Sequence, residues 1–364
     1  MTNNKTGIFL FFSVLITVFS LNGQPSFQDS ALKIVDSLRK ADYHLTNEAV
    51  NYHEQLVSPL QEYRIAGYEY IKAITRIRKA RKIEKTRQEL LKVLENQKER
   101  LKRCSPFRDD DTLRYELIRY LDLDYIVLKE DFDKILNMED INAQSYDQTE
   151  AHQLAIDKAV EKLDTSFNIL TKAEKNFFNK YEIKTKDVKD ELSIKIEKAN
   201  KAIKYYDTIN RIFFKAYKQN AYAMTALNNK DIAGLEQHAT TLFSFTEEGL
   251  EKLMKKEAYE GDNKFLNSAI EILEFYLHEG KDIYPANVDF YIKADNLQKA
   301  NKKFDSIKEG DRKQEDVDQY NSAVNVYNKA VKEIIRTNST SLKKHNELIN
   351  AWNKTVDEFL KKHS

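Results

Sequence analysis

Residues 202–227, AIKYYDTINRIFFKAYKQNAYAMTAL, decide the fold class of this chain. A stripe of side chains repeats there at intervals of three or four positions. Its members are Ile203, Tyr206, Ile209, Phe213, Ala216, Asn220, Ala223 and Leu227. This period places the stripe on one face of an α-helix, and that face must be buried against neighbouring helices.

The rest of the chain follows the same pattern. Similar stripes occur over residues 113–135 and 342–359. No glycine occurs between residues 68 and 233, and Pro106 is the only proline in that stretch. A β-rich protein would need turn residues every 8–12 positions or so. The sequence therefore predicts an all-α fold of antiparallel helical bundles.

Proline, glycine and asparagine mark the predicted joints between helices. Pro59 should kink or restart the first long helix, and Pro106 should close a later one. Residues 228–231 and Gly261 predict turns, and residues 280–287, which include a proline, predict a longer connection.

The two halves of the chain resemble each other, which suggests an internal duplication. Ala49, Tyr52, Leu56, Asp109 and Leu113 match Ala202, Tyr205, Ile209, Asp262 and Leu266 at one constant spacing. Helical sequences share simple patterns, so chance matching is the alternative. A duplication predicts two tandem four-helix-like units, at residues 24–186 and 187–364. No glycine or proline marks the boundary, which leaves room for one continuous helix and an elongated molecule.

Residues 1–23 have the order of a secretory signal peptide. Lys5 precedes the apolar run of residues 8–21, and small uncharged residues follow before Gln24. We therefore expect export to the periplasm, the cell surface or the medium. No later segment is apolar enough to span a membrane. Without Lys5 the chain is nearly neutral, which argues against nucleic acid as a partner.

Charge is unevenly distributed in the first half. Residues 72–103 are strongly basic and residues 109–150 are strongly acidic. The basic stretch alone could bind a polyanion. Alternatively, the two stretches fold back on each other as antiparallel helices, and their charges compensate. The single cysteine, Cys104, can form no internal disulfide, so stability should come from packing.

The sequence contains no recognisable catalytic, cofactor-binding or phosphate-binding motif. We therefore predict a non-enzymatic protein without a cofactor. The best metal-site candidate is Glu271, Glu274 and His278, whose spacing places them on one side of a helix. The alternative is a solvated helix face. His345 lies in the last apolar stripe and is expected at the edge of the core.

The 20 tyrosines are the remaining suggestion of a binding site. Those that stand out are Tyr63, Tyr68, Tyr70, Tyr205 and Tyr206. Clustered rings could line a groove for a peptide or glycan. Alternatively, the rings lie in bundle seams with their hydroxyls at the wet edge.

The layout resembles a family of uncharacterised, exported helical surface proteins of Gram-negative bacteria. The resemblance is carried by the signal peptide, the tyrosine-rich residues 41–70, the repeated halves and the closing segment, residues 352–360. It implies a role in the envelope or at the cell surface and supplies no catalytic residues.

The sequence thus predicts an exported binding or structural module, whose partner would be an envelope or extracellular protein or a glycan. One alternative is a helical protein that binds lipid at the membrane surface, because long amphipathic helices and a basic stretch favour anionic lipid. Another alternative is a metal-dependent enzyme that uses Glu271, Glu274 and His278.

Overall fold

The computed structural model describes residues 24–25, 38–77, 79–131, 146–186 and 190–364. The predicted signal peptide, residues 1–23, lies outside this part of the chain. The described residues are helical almost throughout, which confirms the predicted all-α class. None of the described helices is long and apolar enough to cross a membrane.

The described residues form ten α-helices. In chain order they are α1 (Leu38–Val57), α2 (Leu60–Lys72), α3 (Ala80–Arg103), α4 (Thr112–Ile126), α5 (Tyr146–Lys180), α6 (Glu191–Asn229), α7 (Ile232–Met254), α8 (Lys264–His278), α9 (Tyr284–Ser306) and α10 (Gln314–His363). The first, second and third π-turns are Ala73–Ile77, Val127–Asp131 and Glu279–Ile283, and Glu309–Asp311 is a 3-10 turn. Two short strands, β1 (Gln24–Pro25) and β2 (Thr185–Lys186), pair antiparallel.

The chain divides into two compact units. The first comprises Met1–Asp207 and Leu360–Ser364, and the second comprises Thr208–Phe359. The division falls within α6, whereas the sequence placed the boundary at residues 186–187. Near that predicted boundary α5 ends at Lys180 and Glu182 adopts a left-handed φ of 54°. No helix therefore runs through residues 183–186.

In the first unit, α2 packs on α3, α3 on α4, and α4 on α5. Its core contains an aromatic cluster in which the ring of Phe107 lies 5.2 Å from that of Tyr52 and 4.9 Å from that of Tyr181. The basic α3 and the helix α4, which carries three carboxylates and two arginines, are consecutive and in contact, and Lys98 pairs with Asp122 at 2.5 Å. This ion pair between the two helices is the kind of charge compensation that the sequence pattern predicted.

In the second unit, α7 packs on α8 and on α9. The core is centred on Trp352, whose ring lies 4.3 Å from that of Phe213 and 5.1 Å from that of Phe265. The ring of Phe265 also stacks on that of Phe359 at 4.8 Å. The apolar stripe of the last helix is thus used for packing within its own unit.

The helix α9 and the first half of α10 form a hairpin whose seam is aromatic. Phe304 stacks on Tyr320 with 4.7 Å between ring centroids, and Phe290 stacks on Tyr327 at 5.8 Å. Between residues 288 and 329 every side chain is exposed or only half-buried. The hairpin is therefore a two-helix element without a fully buried core.

The same turn precedes α4 in the first unit and α8 in the second. Phe107 and Asp110 form a short antiparallel bridge in one, and Tyr259 and Asp262 form it in the other. Each aspartate accepts a 3.1 Å hydrogen bond from the backbone N–H two positions later, where the next helix begins. The turn therefore matches Asp262 with Asp110, one position later than the sequence comparison did.

The helices after these turns also correspond. Both α4 and α8 have 15 residues, and each continues directly into a π-turn. The second and third π-turns are related by the spacing that relates Asp110 to Asp262. This likeness supports the duplication, which stays a prediction.

Candidate functional site

A cleft of about 360 Å³ opens in the second unit between the end of α6, the third π-turn, the start of α9 and the middle of α10. The side chains that matter for its chemistry are Asn220, Glu279, Tyr284, Asn287, Asn338, Ser341 and His345. Ligand pockets in proteins are typically about 300–1,000 Å³. The cleft is therefore large enough for a small organic molecule.

The third π-turn forms one wall of this cleft, where the sequence predicted a loop over residues 280–287. That prediction is wrong, because the π-turn leads directly into α9, and Pro285 lies in the first turn of α9. Gly280 permits a close approach to α7. A β-carbon at this position would lie 3.0 Å from the carbonyl oxygen of Ala239 and 3.0 Å from the backbone nitrogen of Phe243.

Two asparagines hold each other in the cleft. Asn287 donates to the side-chain oxygen of Asn338 at 3.0 Å, and Asn338 donates back to Asn287 at 2.8 Å. Asn287 also donates to the carbonyl of Ile283 at 2.8 Å, which ties the pair to the π-turn. Tyr284 donates to Asn220 at 2.7 Å. These amides are fixed before any ligand arrives, and pre-ordered polar groups favour binding.

Glu279 supplies a buried carboxyl group in the same cleft. Its side chain is only 4 % exposed, and its Oε1 accepts a 2.5 Å hydrogen bond from the hydroxyl of Ser341. Burial raises the pKa of Glu279, and the Ser341 hydrogen bond and the nearby His278 oppose this rise. Among the described residues, Glu279 has no ion-pair partner within 4 Å.

His345 lines the cleft one helical turn after Ser341, at the core edge where the sequence predicted it. Burial lowers its pKa, so the imidazole is neutral near pH 7. Its Nδ1 is buried without a hydrogen-bond partner in the described structure. Ser341 donates to Glu279, not to this imidazole nitrogen. Ser341 and His345 are therefore not hydrogen-bonded through Nδ1 as a serine nucleophile and its base would be.

The tyrosines predicted to bind a partner lie in the first unit. Tyr63, Tyr70 and Tyr206 are buried, whereas Tyr68 and Tyr205 are half-buried. Tyr63 donates to Asp124, and burial raises the pKa of both Tyr63 and Tyr70. Three of the five rings therefore offer no surface for an open groove in this conformation.

The predicted metal ligands Glu271, Glu274 and His278 are exposed on α8, and two of them have other partners. Lys344 donates to Glu271 at 3.2 Å, and His278 pairs with Asp282 at 2.7 Å. Glu274 is exposed. Within the described part of the chain, no group of three histidine, cysteine or acidic side chains is arranged to hold a metal ion.

Sequence reasoning missed most of the cleft residues. Asn220 is a polar residue in an otherwise apolar stripe, and this irregularity was the one sequence feature that could have indicated the cleft. Glu279 and Asn287 lie at the edges of the stretch predicted as a loop. Ser341 and Asn338 are ordinary helix positions, and only the tertiary fold shows that they share a cavity.

Comparisons with protein-family models, with curated proteins and with solved structures give no match for this chain. The function is therefore argued from the geometry of the cleft and from the chemistry of the residues that line it.

Proposed function

We propose that this chain is an exported, non-enzymatic binding module whose ligand site is the cleft of the second unit. The observation that carries the proposal is the reciprocal hydrogen-bonded pair of Asn287 and Asn338 on the wall of an open cavity. Polar groups held in place by one another lose little conformational freedom when a ligand binds.

The composition of the cleft supports a small polar ligand. Amide, hydroxyl and carboxyl groups come from Asn220, Glu279 and Ser341, and aromatic rings come from Tyr284 and Phe290. A mainly apolar wall with a few convergent polar groups is typical of small-molecule sites. The neutral overall charge and the envelope role implied by the family resemblance are compatible with this function.

A library of water-soluble sugars, amino acids, amines and carboxylic acids tests the proposal by ligand-observed NMR. The test variant carries both Asn287→Leu and Asn338→Leu, because replacing both partners of a hydrogen bond by apolar groups leaves no group unpaired at this contact. The matched control is Gln319→Leu on the same helix α10, where the amide accepts from Lys303 outside the cleft.

We expect at least one compound to bind the wild type and the Gln319→Leu control but not the double variant. Equal binding to all three proteins would place the site elsewhere, and no binding by any compound would argue against a small-molecule module. Chemical conversion of a bound compound would overturn the non-enzymatic part of the proposal.

The export part of the proposal has its own test. It rests on residues 1–23 of the sequence, which lie outside the described residues. N-terminal sequencing of the protein recovered from its native cells should begin near Gln24. Recovery of the unprocessed chain from the cytoplasm would contradict export.

A further inference from the structure

We propose that the cleft of the second unit takes a small organic cation, whose ammonium group pairs with the carboxylate of Glu279. This inference rests on the proposed function, because it assigns a chemical class to the ligand of the same cleft. It also predicts that the ligand is positively charged and that Glu279 binds the charged group.

The carboxyl group of Glu279 has no ion-pair partner among the described residues. A buried carboxylate is costly unless a cation or several hydrogen bonds compensate it. The structure supplies one hydrogen bond, from Ser341. His278, on the preceding helix, is exposed and pairs with Asp282, and Lys230, from the turn between α6 and α7, is exposed on the cleft lining. A cationic ligand would therefore supply charge compensation that the described residues do not.

Aromatic rings line the same cleft as this carboxyl group. The ring of Tyr284 lines the same cleft as Glu279, and the pKa of Tyr284 is raised mainly by burial and further by the charge of Glu279. Phe290 and Tyr291 line the same cleft, with their ring centroids 5.6 Å apart. Aromatic faces attract ammonium groups and do not attract carboxylates. The rings and the carboxylate of Glu279 therefore both favour a positively charged ligand.

The cleft also contains a hydrogen-bond acceptor for a ligand. A ligand ammonium or hydroxyl needs oxygen acceptors, and the half-buried Asn338 lines the wall. Its side-chain oxygen accepts one hydrogen bond from Asn287 and can accept a second, since a carbonyl oxygen has two lone pairs. His345, with neutral imidazole near pH 7, adds no positive charge to oppose the ligand. An anionic ligand would be repelled by Glu279, and among the residues that line the cleft only the exposed Lys230 would attract it.

Two pairs of probes with matched shapes test the charge requirement by isothermal titration calorimetry. Choline is compared with its neutral isostere 3,3-dimethylbutan-1-ol, and ethanolamine is compared with ethylene glycol. We expect at least one cation to bind about tenfold or more tightly than its neutral counterpart, because a tenfold ratio corresponds to about 1.4 kcal/mol.

The variant Glu279→Gln keeps the shape of the side chain and an oxygen that can accept from Ser341. It should abolish the preference for the cation and remain folded, because it removes a buried charge. The matched control is Glu271→Gln, which removes an exposed carboxylate of α8 outside the cleft lining. This control should leave the preference unchanged. Thermal unfolding followed by circular dichroism verifies that both variants fold.

The affinity for choline should also rise with pH. Only the ionised form of Glu279 attracts the cation, and burial moves its ionisation above the ordinary range of glutamate. Choline keeps its charge at every pH, so any titration belongs to the protein. His345 would oppose the cation when protonated, and the variant His345→Gln removes that contribution. The pH dependence should persist in this variant and disappear in the double variant Glu279→Gln/His345→Gln.

The outcomes separate this inference from the proposed function. If neutral probes bind as tightly as the cations, or if Glu279→Gln leaves the preference intact, the cation inference is overturned and the cleft remains a binding site. If none of the four probes binds while the library yields an anionic or neutral ligand, the cation inference also fails. Failure of the library itself counts against the proposed function.

Discussion

The hydroxyl of Tyr63 donates a 2.6 Å hydrogen bond to Oδ2 of Asp124, and both side chains are buried in the first unit. Burial raises the pKa of Asp124 from 3.8 to about 6, and the hydrogen bond from Tyr63 only partly opposes this rise. The folded state therefore binds the proton of this carboxyl group more tightly than the unfolded state does.

The first prediction follows from this pKa. The stabilisation from protonated Asp124 is complete below about pH 4 and is lost as the pH rises through about 6, which corresponds to roughly 3 kcal/mol. Asp124→Asn should remove this part of the pH dependence and should be more stable than the wild type at neutral pH. Urea unfolding across this pH range measures the difference between the two proteins. Parallel pH profiles for the two would contradict the assignment.

Tyr63→Phe provides the companion measurement to Asp124→Asn. It leaves the buried carboxyl group without its donor, so the pKa of Asp124 should rise further and stability at neutral pH should fall. The cost of an unsatisfied buried group is about 1–3 kcal/mol. An unchanged unfolding free energy would mean that another donor replaces the phenol.

The second prediction concerns Arg87, which is buried beside the second π-turn. Its Nη1 donates to the carbonyl of Leu128 at 2.8 Å, and its Nε donates to Glu84 at 2.8 Å. Arg87→Leu should lower the unfolding free energy by about 2 kcal/mol, because the carbonyl and the carboxylate lose a donor. Arg103→Leu, at the exposed end of the same helix, should change it by less than about 0.5 kcal/mol. Urea unfolding compares the two, and equal effects would contradict the prediction.

The third prediction tests the close contact at the third π-turn. Gly280→Ala places a β-carbon 3.0 Å from backbone atoms of Ala239 and Phe243, so the π-turn and α7 must separate. Overpacking of this kind costs about 1–3 kcal/mol. Gly310→Ala is the matched control, because a β-carbon there meets nothing within 4 Å. Thermal unfolding should show a loss of stability for Gly280→Ala only. A similar loss in both variants would contradict the predicted clash at Gly280.

The fourth prediction concerns Trp352, the only tryptophan of the chain, which is 2 % exposed. Trp352→Ala should lower the unfolding free energy by roughly 4 kcal/mol, because it leaves a cavity between Phe213 and Phe265. Ile335→Ala, on the same helix but 64 % exposed, should cost far less. Calorimetric unfolding measures both, and a mild effect at Trp352 would mean that the core closes over the cavity.

The helices were predictable because their signals are local. Pro59 and Pro106 separate helices as expected, and the stripe from Ile203 to Leu227 lies within α6. Residues 280–287 were not predictable, because glycine and proline usually end helices. Here a π-turn absorbs Gly280 and the first turn of α9 accepts Pro285. The role of Gly280 depends on its contact with the backbone of α7, and that of Pro285 depends on its position in the first turn of α9. Neither can be inferred from the neighbouring sequence.

The cleft was mostly beyond sequence reasoning for a related reason. Its polar residues come from segments far apart in the chain, such as Asn220, Glu279 and Asn338, and each is unremarkable alone. The tyrosines were conspicuous by number, yet Tyr63 and Tyr70 are buried. The number of tyrosines does not show whether a ligand can reach them, because that depends on their burial in the fold.

The hairpin of α9 and α10 has a practical consequence for handling this protein. Because no side chain between residues 288 and 329 is fully buried, its backbone amides should exchange with deuterium before those of the helices that carry the core. The turn at Gly310 offers a place for a fluorophore or an affinity tag, since a β-carbon added at that glycine would meet nothing within 4 Å. A label inserted there would report on the second unit while leaving the cleft lining untouched.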